Sequence, residues 1–243
     1  MSIIVLEHTE TSRPGRLGTI LRDYGHRLDI RQVWKGDRVP TSFEGVDGVV
    51  SLGGAMNVSQ ADEFSWMPQE IDFLREAHER ELPVVGLCLG AQLLAVALGG
   101  EVEPLPDGQM EVGFHEVEST SAGMVDIILS GIPWRMMQFH WHGCHISNPP
   151  TGATVLSRSK MTPTQAFRFG LRTYGFQYHF EATPDLMQLW ANKSPSEVER
   201  GGMTHESFMA SIDEHNDKFA RLSSRLSQSI AEYVIPAAAD RVL

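Results

Sequence analysis

At 243 residues, 42% of them hydrophobic, the chain carries enough apolar material for one large globular domain or two small ones. Thirty-one acidic side chains against 20 basic ones give a formal charge of −11, which argues against a nucleic-acid binder, since such proteins present a basic face to phosphates. The two cysteines, Cys88 and Cys144, are too few for a disulfide framework and match no common zinc-ligand spacing.

The opening MSIIVLEHTE has one four-residue apolar run with no basic flank, so it reads as neither a secretory signal nor a membrane span, and a cytoplasmic location is expected. Ile3 to Glu7 reads as a buried strand, GRLGTILRDYG as a short amphipathic helix closed by Gly25, and LDIRQVW as a second strand. VDGVVSLGG gives a third strand running into paired glycines. WMPQEIDFLREAHERE follows as a helix with acidic and basic residues on its outer face, and LPVVGL as a fourth strand. Strands alternating with helices of this length predict an α/β three-layer sandwich around a mostly parallel central sheet, flavodoxin-like in type.

Beyond Gly100, shorter strand candidates (GFHEVEST, RMMQFHW, ATVLSRS, QAFRFG and TYGFQYHF) extend the same sheet. From Ser194 on, helical periodicity with a Gly-Gly break predicts a helical extension over 194–243, packed on a main domain of 1–193.

The segment VVGLCLGAQLLAVALGG turns from strand to helix at Cys88. A residue on such an elbow is raised above the carboxyl edge of the sheet, where open α/β folds bind ligands, and Gly86 and Gly90 leave room for the tight backbone. The positive end of the following helix favours thiolate, which makes Cys88 a nucleophile candidate; the alternative is an inert buried cysteine. A cysteine nucleophile needs a base and a group that orients it. The strand predicted over Thr173–Phe180 ends in His179, and Glu181, two residues on, faces the same way in an extended chain. After the third strand, SLGGAMN puts Gly54 where its N–H, together with that of Leu89, forms a candidate oxyanion hole.

GLCLGAQ, SLGG and GFQYHFE, in this order and with these separations, resemble the class I (triad) glutamine amidotransferases, particularly stand-alone proteins similar to the amidotransferase domain of GMP synthase; the likeness runs over roughly residues 40–192. The resemblance implies that Cys88 attacks the side-chain amide of glutamine or another γ-glutamyl compound, that His179 moves the protons and that Glu181 orients His179. It implies oxyanion donors at Gly54 and Leu89 and a substrate contact at Gln92. It also implies a substrate-side loop containing His140, Trp141 and His142.

Two positions depart from the family pattern. Phe180 stands where many relatives have proline, and Cys144 where an acidic residue often follows His-Gly. His140, His142, Cys144 and His145 have the chemistry of zinc ligands, but they crowd into six residues without a distant pair, so no metal site is expected. The half reaction requires no cofactor. No GxxxxGK[ST] loop is present, so ammonia would pass to a separate synthetase subunit, or the chain would hydrolyse γ-glutamyl amides or peptides alone. Two other readings are open: an elbow-cysteine enzyme using an early-strand carboxylate such as Glu7, and a non-catalytic regulatory subunit.

Overall fold

Alternation along the first strand, β1 (Ser2–Glu7), sets the layers of the structure, a computed structural model that describes residues 2–237. Ile3 and Val5 point into one apolar cluster and Ile4 and Leu6 into another, as expected for a strand buried on both faces. The first half then follows the sequence reading through α1 (Gly15–Asp23), β2 (Leu28–Gln32), β3 (Val46–Ser51), α2 (Trp66–Glu79), β4 (Val84–Leu87) and α3 (Leu89–Ala97). Val33 and Trp34, expected at the end of the second strand, belong instead to a 3-10 turn.

The second half contains β5 (Glu101–Pro104), β6 (Glu111–Ser119), α4 (Ser121–Val125), β7 (Arg135–His142), β8 (Cys144–Asn148), β9 (Thr154–Arg158), β10 (Ala166–Phe169), β11 (Thr173–Phe176), α5 (Pro184–Lys193), α6 (Pro195–Arg200) and α7 (His205–Ser229). Among the described residues, nine strands form one sheet in the order β2-β1-β3-β4-β11-β10-β9-β6-β7. The pairs from β2 to β11 are parallel and the remaining pairs antiparallel, so the mostly parallel centre predicted from the sequence is found with an antiparallel wing. β5 and β8, which the sequence reading missed, make a separate antiparallel pair.

The strand predicted over Thr173–Phe180 stops at Phe176. Beyond it the backbone changes partners: Gln177 N–H donates to Gln165 O and His179 N–H to Phe139 O of β7, each at 2.8 Å. His179 therefore sits on an irregular segment at the carboxyl edge of the sheet.

Leu17 and Leu21 of α1 and Leu226 of α7 cover one face of the parallel centre, while Phe73 and Leu74 of α2 and Leu93 and Leu94 of α3 cover the other. A third cluster joins Val112 and Phe139 to Met187, Val198, Phe208 and Phe219 from α5, α6 and α7. Full burial of Val198 of α6 and of Phe208 and Phe219 of α7 contributes about 1.5–3 kcal/mol for each side chain, so both helices belong energetically to the core they pack on. Ser194, where the helical extension was expected to begin, is the single residue between α5 and α6. Residues 238–243 of that extension lie outside the described residues. Among the described residues no helix is long and apolar enough to cross a membrane.

Helix α3 approaches β3 so closely that a Cβ on Gly90 would overlap the main-chain carbonyl of Ser51. Gly90→Ala should therefore destabilise the fold by about 3 kcal/mol despite alanine's better helix propensity, because a backbone atom cannot yield as a side-chain tip does. Urea unfolding of the two proteins checks this.

Candidate active site

Cys88 joins β4 to α3 and is one of the few non-glycine residues with positive φ (φ 49°, ψ −106°). The bend is held on both sides: Cys88 N–H donates to Phe176 O at 2.7 Å, and Gln92 N–H donates to Cys88 O at 3.0 Å. The side chain is 5% exposed and borders a cavity of about 420 Å³ at the carboxyl edge of the sheet. Its thiol lies 3.7 Å from Trp141 O.

His179 and Glu181 line the same cavity. A hydrogen bond of 2.7 Å joins His179 Nδ1 to Glu181 Oε1 inside the protein, so the expected pairing is present although its backbone is not a strand. Burial lowers the basicity of the ring, but the Glu181 carboxylate and the neighbouring Cys88 sulfur outweigh it and push the His179 pKa up to about 10. The edge of Trp190 covers the imidazole with ring centroids 4.8 Å apart. Phe180, at the position where many relatives have proline, is fully buried against Phe176.

The glycines after β3 complete this edge. A Cβ on Gly53 would stand 2.6 Å from His179 Cε1 and 3.6 Å from Cys88 Cβ, so the bare glycine lets the loop pass close beside both side chains. Gly54 and Leu89 both line the cavity, and among the described residues neither main-chain N–H has a protein acceptor. For Leu89 this is the ordinary state of the first N–H groups of a helix.

Of the residues expected to contact substrate, Gln92, Trp141 and His142 line the cavity. Gln92 is already engaged, donating from Nε2 to Cys144 O at 3.0 Å and to Gln177 Oε1 at 3.1 Å. His140 does not line it. Fully buried on β7, it turns its Nδ1 toward His142 Nε2 at 3.4 Å, and HWHGCH is the junction of two strands rather than a loop. Burial raises the pKa of the Cys144 thiol, which donates to Asn57 Oδ1 at 3.1 Å. Glu7 accepts from Gln32 Nε2 at 3.0 Å and is not part of the cavity wall.

Sequence reasoning missed several wall residues, among them Ser12, Arg13, Trp190, Glu197 and Arg200. Glu197 accepts from Trp141 Nε1 at 2.6 Å and so ties α6 to β7 across the cavity rim. It also missed Glu111, whose Oε2 lies 3.1 Å from His142 Nε2 and 3.8 Å from His140 Nδ1. These three groups converge as metal ligands do. Glu111 also accepts from Ser159 at Oε1 and from Thr162 and Gln165 at Oε2, so the protein itself engages both carboxylate oxygens. Burial opposes its charge, and the bond to His142 and the other donors outweigh that, holding the carboxyl well below the usual carboxylate range. The cluster is a buried hydrogen-bonded network whose His142 reaches the cavity wall.

A cysteine-bearing elbow, a carboxylate-paired histidine and a glycine loop thus meet on the carboxyl edge of the parallel part of the sheet in an α/β protein. The sequence model "Glutamine amidotransferase class-I" matches residues 17–193, and the chain belongs to this family. It is 27% identical to the glutamine amidotransferase-like protein YfeJ of Salmonella typhimurium over 179 residues, 72% of this chain and 74% of that protein. It is 34% identical over 165 residues to the glutamine-hydrolyzing GMP synthase of Aeropyrum pernix; the match covers 66% of this chain but 29% of that enzyme. Its fold is shared with glutamine amidotransferases from Thermotoga maritima (TM-score 0.85, 24% identity, 97% of this chain and 99% of that one) and Methylobacillus flagellatus (TM-score 0.86, 24% identity, 98% and 96%).

Proposed function

We propose that the chain is a cysteine hydrolase of the glutamine amidotransferase type, cleaving the side-chain amide of glutamine or a related γ-glutamyl compound. The observation that carries this reading is the meeting, in one cavity, of Cys88 on its positive-φ elbow with the His179–Glu181 pair. In the mechanism, Cys88 sulfur bonds to the side-chain amide carbon and the carbonyl oxygen takes the negative charge. The N–H groups of Gly54 and Leu89 stabilise that oxyanion. As the C–N bond breaks, His179 gives its proton to the leaving nitrogen, which departs as ammonia or an amine and leaves a γ-glutamyl thioester. Water, deprotonated by His179, then attacks the thioester; the C–S bond breaks, glutamate leaves and the thiolate–imidazolium pair is restored. Glu181 holds His179 in orientation and stabilises its charged form, and Gln92, Trp141 and His142 shape the substrate side.

A second substrate reading, γ-glutamyl peptides or conjugates, is favoured by the cavity itself. Its volume of about 420 Å³ is that of a site for ligands larger than one amino acid, and Trp141, Trp190, Met56 and Met110 offer apolar wall for a leaving group. The similarity to under a third of a GMP synthase supports a third arrangement, in which ammonia passes to a synthetase partner.

Ammonia release from L-glutamine, measured beside amine release from a γ-glutamyl dipeptide with a Cys88→Ala control, tests the proposal. The expected result is cysteine-dependent turnover of at least one substrate. Iodoacetamide at pH 7 should alkylate Cys88 at least tenfold faster than Cys144, whose thiol is disfavoured as a thiolate by burial. No turnover together with equal labelling of both cysteines would favour a binding subunit.

A further inference from the structure

Behind the glycine loop lies a buried ion pair that the mechanism above does not use. His8, just past β1, and Glu70, on the inner face of α2, are both fully buried. His8 Nε2 lies 2.9 and 3.1 Å from the two Glu70 oxygens, and His8 Nδ1 lies 3.2 Å from Gly53 O. Ser51 Oγ donates to Glu70 Oε1 at 2.5 Å, and Trp66 stacks on the His8 ring at 4.9 Å. Both ring nitrogens of His8 thus face acceptors with no donor available to either, and only the doubly protonated ring satisfies both contacts. Burial alone would favour the neutral ring, but Glu70 and the Gly53 and Leu52 carbonyls overcome it and raise the His8 pKa.

Gly53 O receives a second donor, Ser12 Oγ, at 2.5 Å. The Gly53 carbonyl and the Gly54 N–H belong to one planar peptide, and among the described residues every peptide is trans, so the two groups point in opposite directions. Anchoring the carbonyl on His8 and Ser12 therefore aims the Gly54 N–H away from them.

We infer that His8, charged by Glu70 and assisted by Ser12, is a positioning residue for catalysis: it fixes the Gly53–Gly54 peptide with the Gly54 N–H presented to the oxyanion formed at Cys88. This rests on the proposed hydrolase reading and adds to it that the oxyanion site is assembled before substrate arrives. A glycine pair has no side chain to hold this peptide in place, and without the clamp it is free to turn over.

The test compares two reactions of Cys88. Acylation by γ-glutamyl p-nitroanilide, read as single-turnover release of p-nitroaniline, passes through an oxyanion; alkylation by iodoacetamide does not. In His8→Leu, kcat and the acylation rate should fall about 10²–10³-fold, the loss that follows removal of one oxyanion donor. KM and the alkylation rate should stay within about twofold of the starting protein. Ser12→Ala, which leaves the ion pair intact, should show the same split at about fivefold, and it serves if His8→Leu does not fold. Glu70→Gln should lie between them. Full kcat in the His8 and Ser12 variants of an active protein would overturn this inference alone, as would equal losses of acylation and alkylation. Absence of cysteine-dependent turnover in the unmodified protein, together with equal alkylation of Cys88 and Cys144, would overturn the hydrolase reading and the inference with it.

Discussion

Replacing Cys88 with glycine is expected to produce a protein that is inactive and yet more stable than the original. A residue with a side chain held at φ 49°, ψ −106° carries about 1–3 kcal/mol of backbone strain, and glycine occupies that region freely. Glycine also gives the unfolded chain more freedom, which costs about 0.4–1 kcal/mol. The net expectation is a gain of about 1 kcal/mol, or about 2–4 °C in Tm for a chain of this size. Cys88→Ala retains the Cβ and so the strain, and should melt close to the original. Both variants should lose turnover by at least about 10⁴-fold. Thermal unfolding of the three proteins side by side checks the claim, and a glycine variant that melts below the alanine variant would show that the elbow stores no strain.

Glu181→Gln should lower kcat by about 10²–10⁴-fold while Cys88 remains in place, because a neutral amide neither stabilises imidazolium nor enforces the tautomer that Nδ1 needs. The same substitution predicts a pH-dependent change in stability. The folded-state pKa of His179, about 10, lies above its ordinary 6.5, so the folded protein holds this proton more tightly than the unfolded chain does. The resulting stabilisation is fully present below pH 6.5 and is lost as pH rises through about 10. The stability gap between the original protein and Glu181→Gln should therefore be widest near pH 6 and narrow steadily toward pH 10.5. Urea melts across that range measure it, and a gap that widened with pH would contradict the assignment of the charge to His179.

How far the site was legible in the sequence depended on the range of the interactions that build it. The elbow at Cys88 was legible because a short apolar strand, small neighbours and a run of helix formers are local signals, and the glycines after β3 belong to the same kind. His179 and Glu181 were found for a partly mistaken reason. Their two-residue spacing was read as strand alternation, whereas the chain has left the sheet by then and pairs with Phe139 of β7. The antiparallel wing was visible only as a series of short strands, and β5 and β8 were lost because both are short and mixed in polarity. His140 was placed in a substrate-side loop on the family resemblance, although RMMQFHW also read as a strand, and that strand, β7, turns it inward.

His8 and Glu70 were not legible as a pair, since 62 residues separate them and no local pattern couples the end of β1 to α2. One clue was present. Glu70 lies in register with Met67, Phe73, Leu74 and Ala77, the buried stripe of α2, whereas the sequence reading assigned the charged residues of that helix to its outer face. A carboxylate inside an apolar stripe calls for a buried donor, and that rule points toward a histidine or arginine elsewhere in the chain.

Ser194, Glu197 and Arg200 stand in the cavity wall although the family match stops at residue 193. The groups proposed to break the amide bond and those framing the far side of the cleft therefore come from separable stretches of chain. Exchange or redesign of the segment around α6 offers a route to new leaving-group preference that leaves the bond-breaking apparatus intact. Its limit is set by Val198, which anchors that segment in the third apolar cluster.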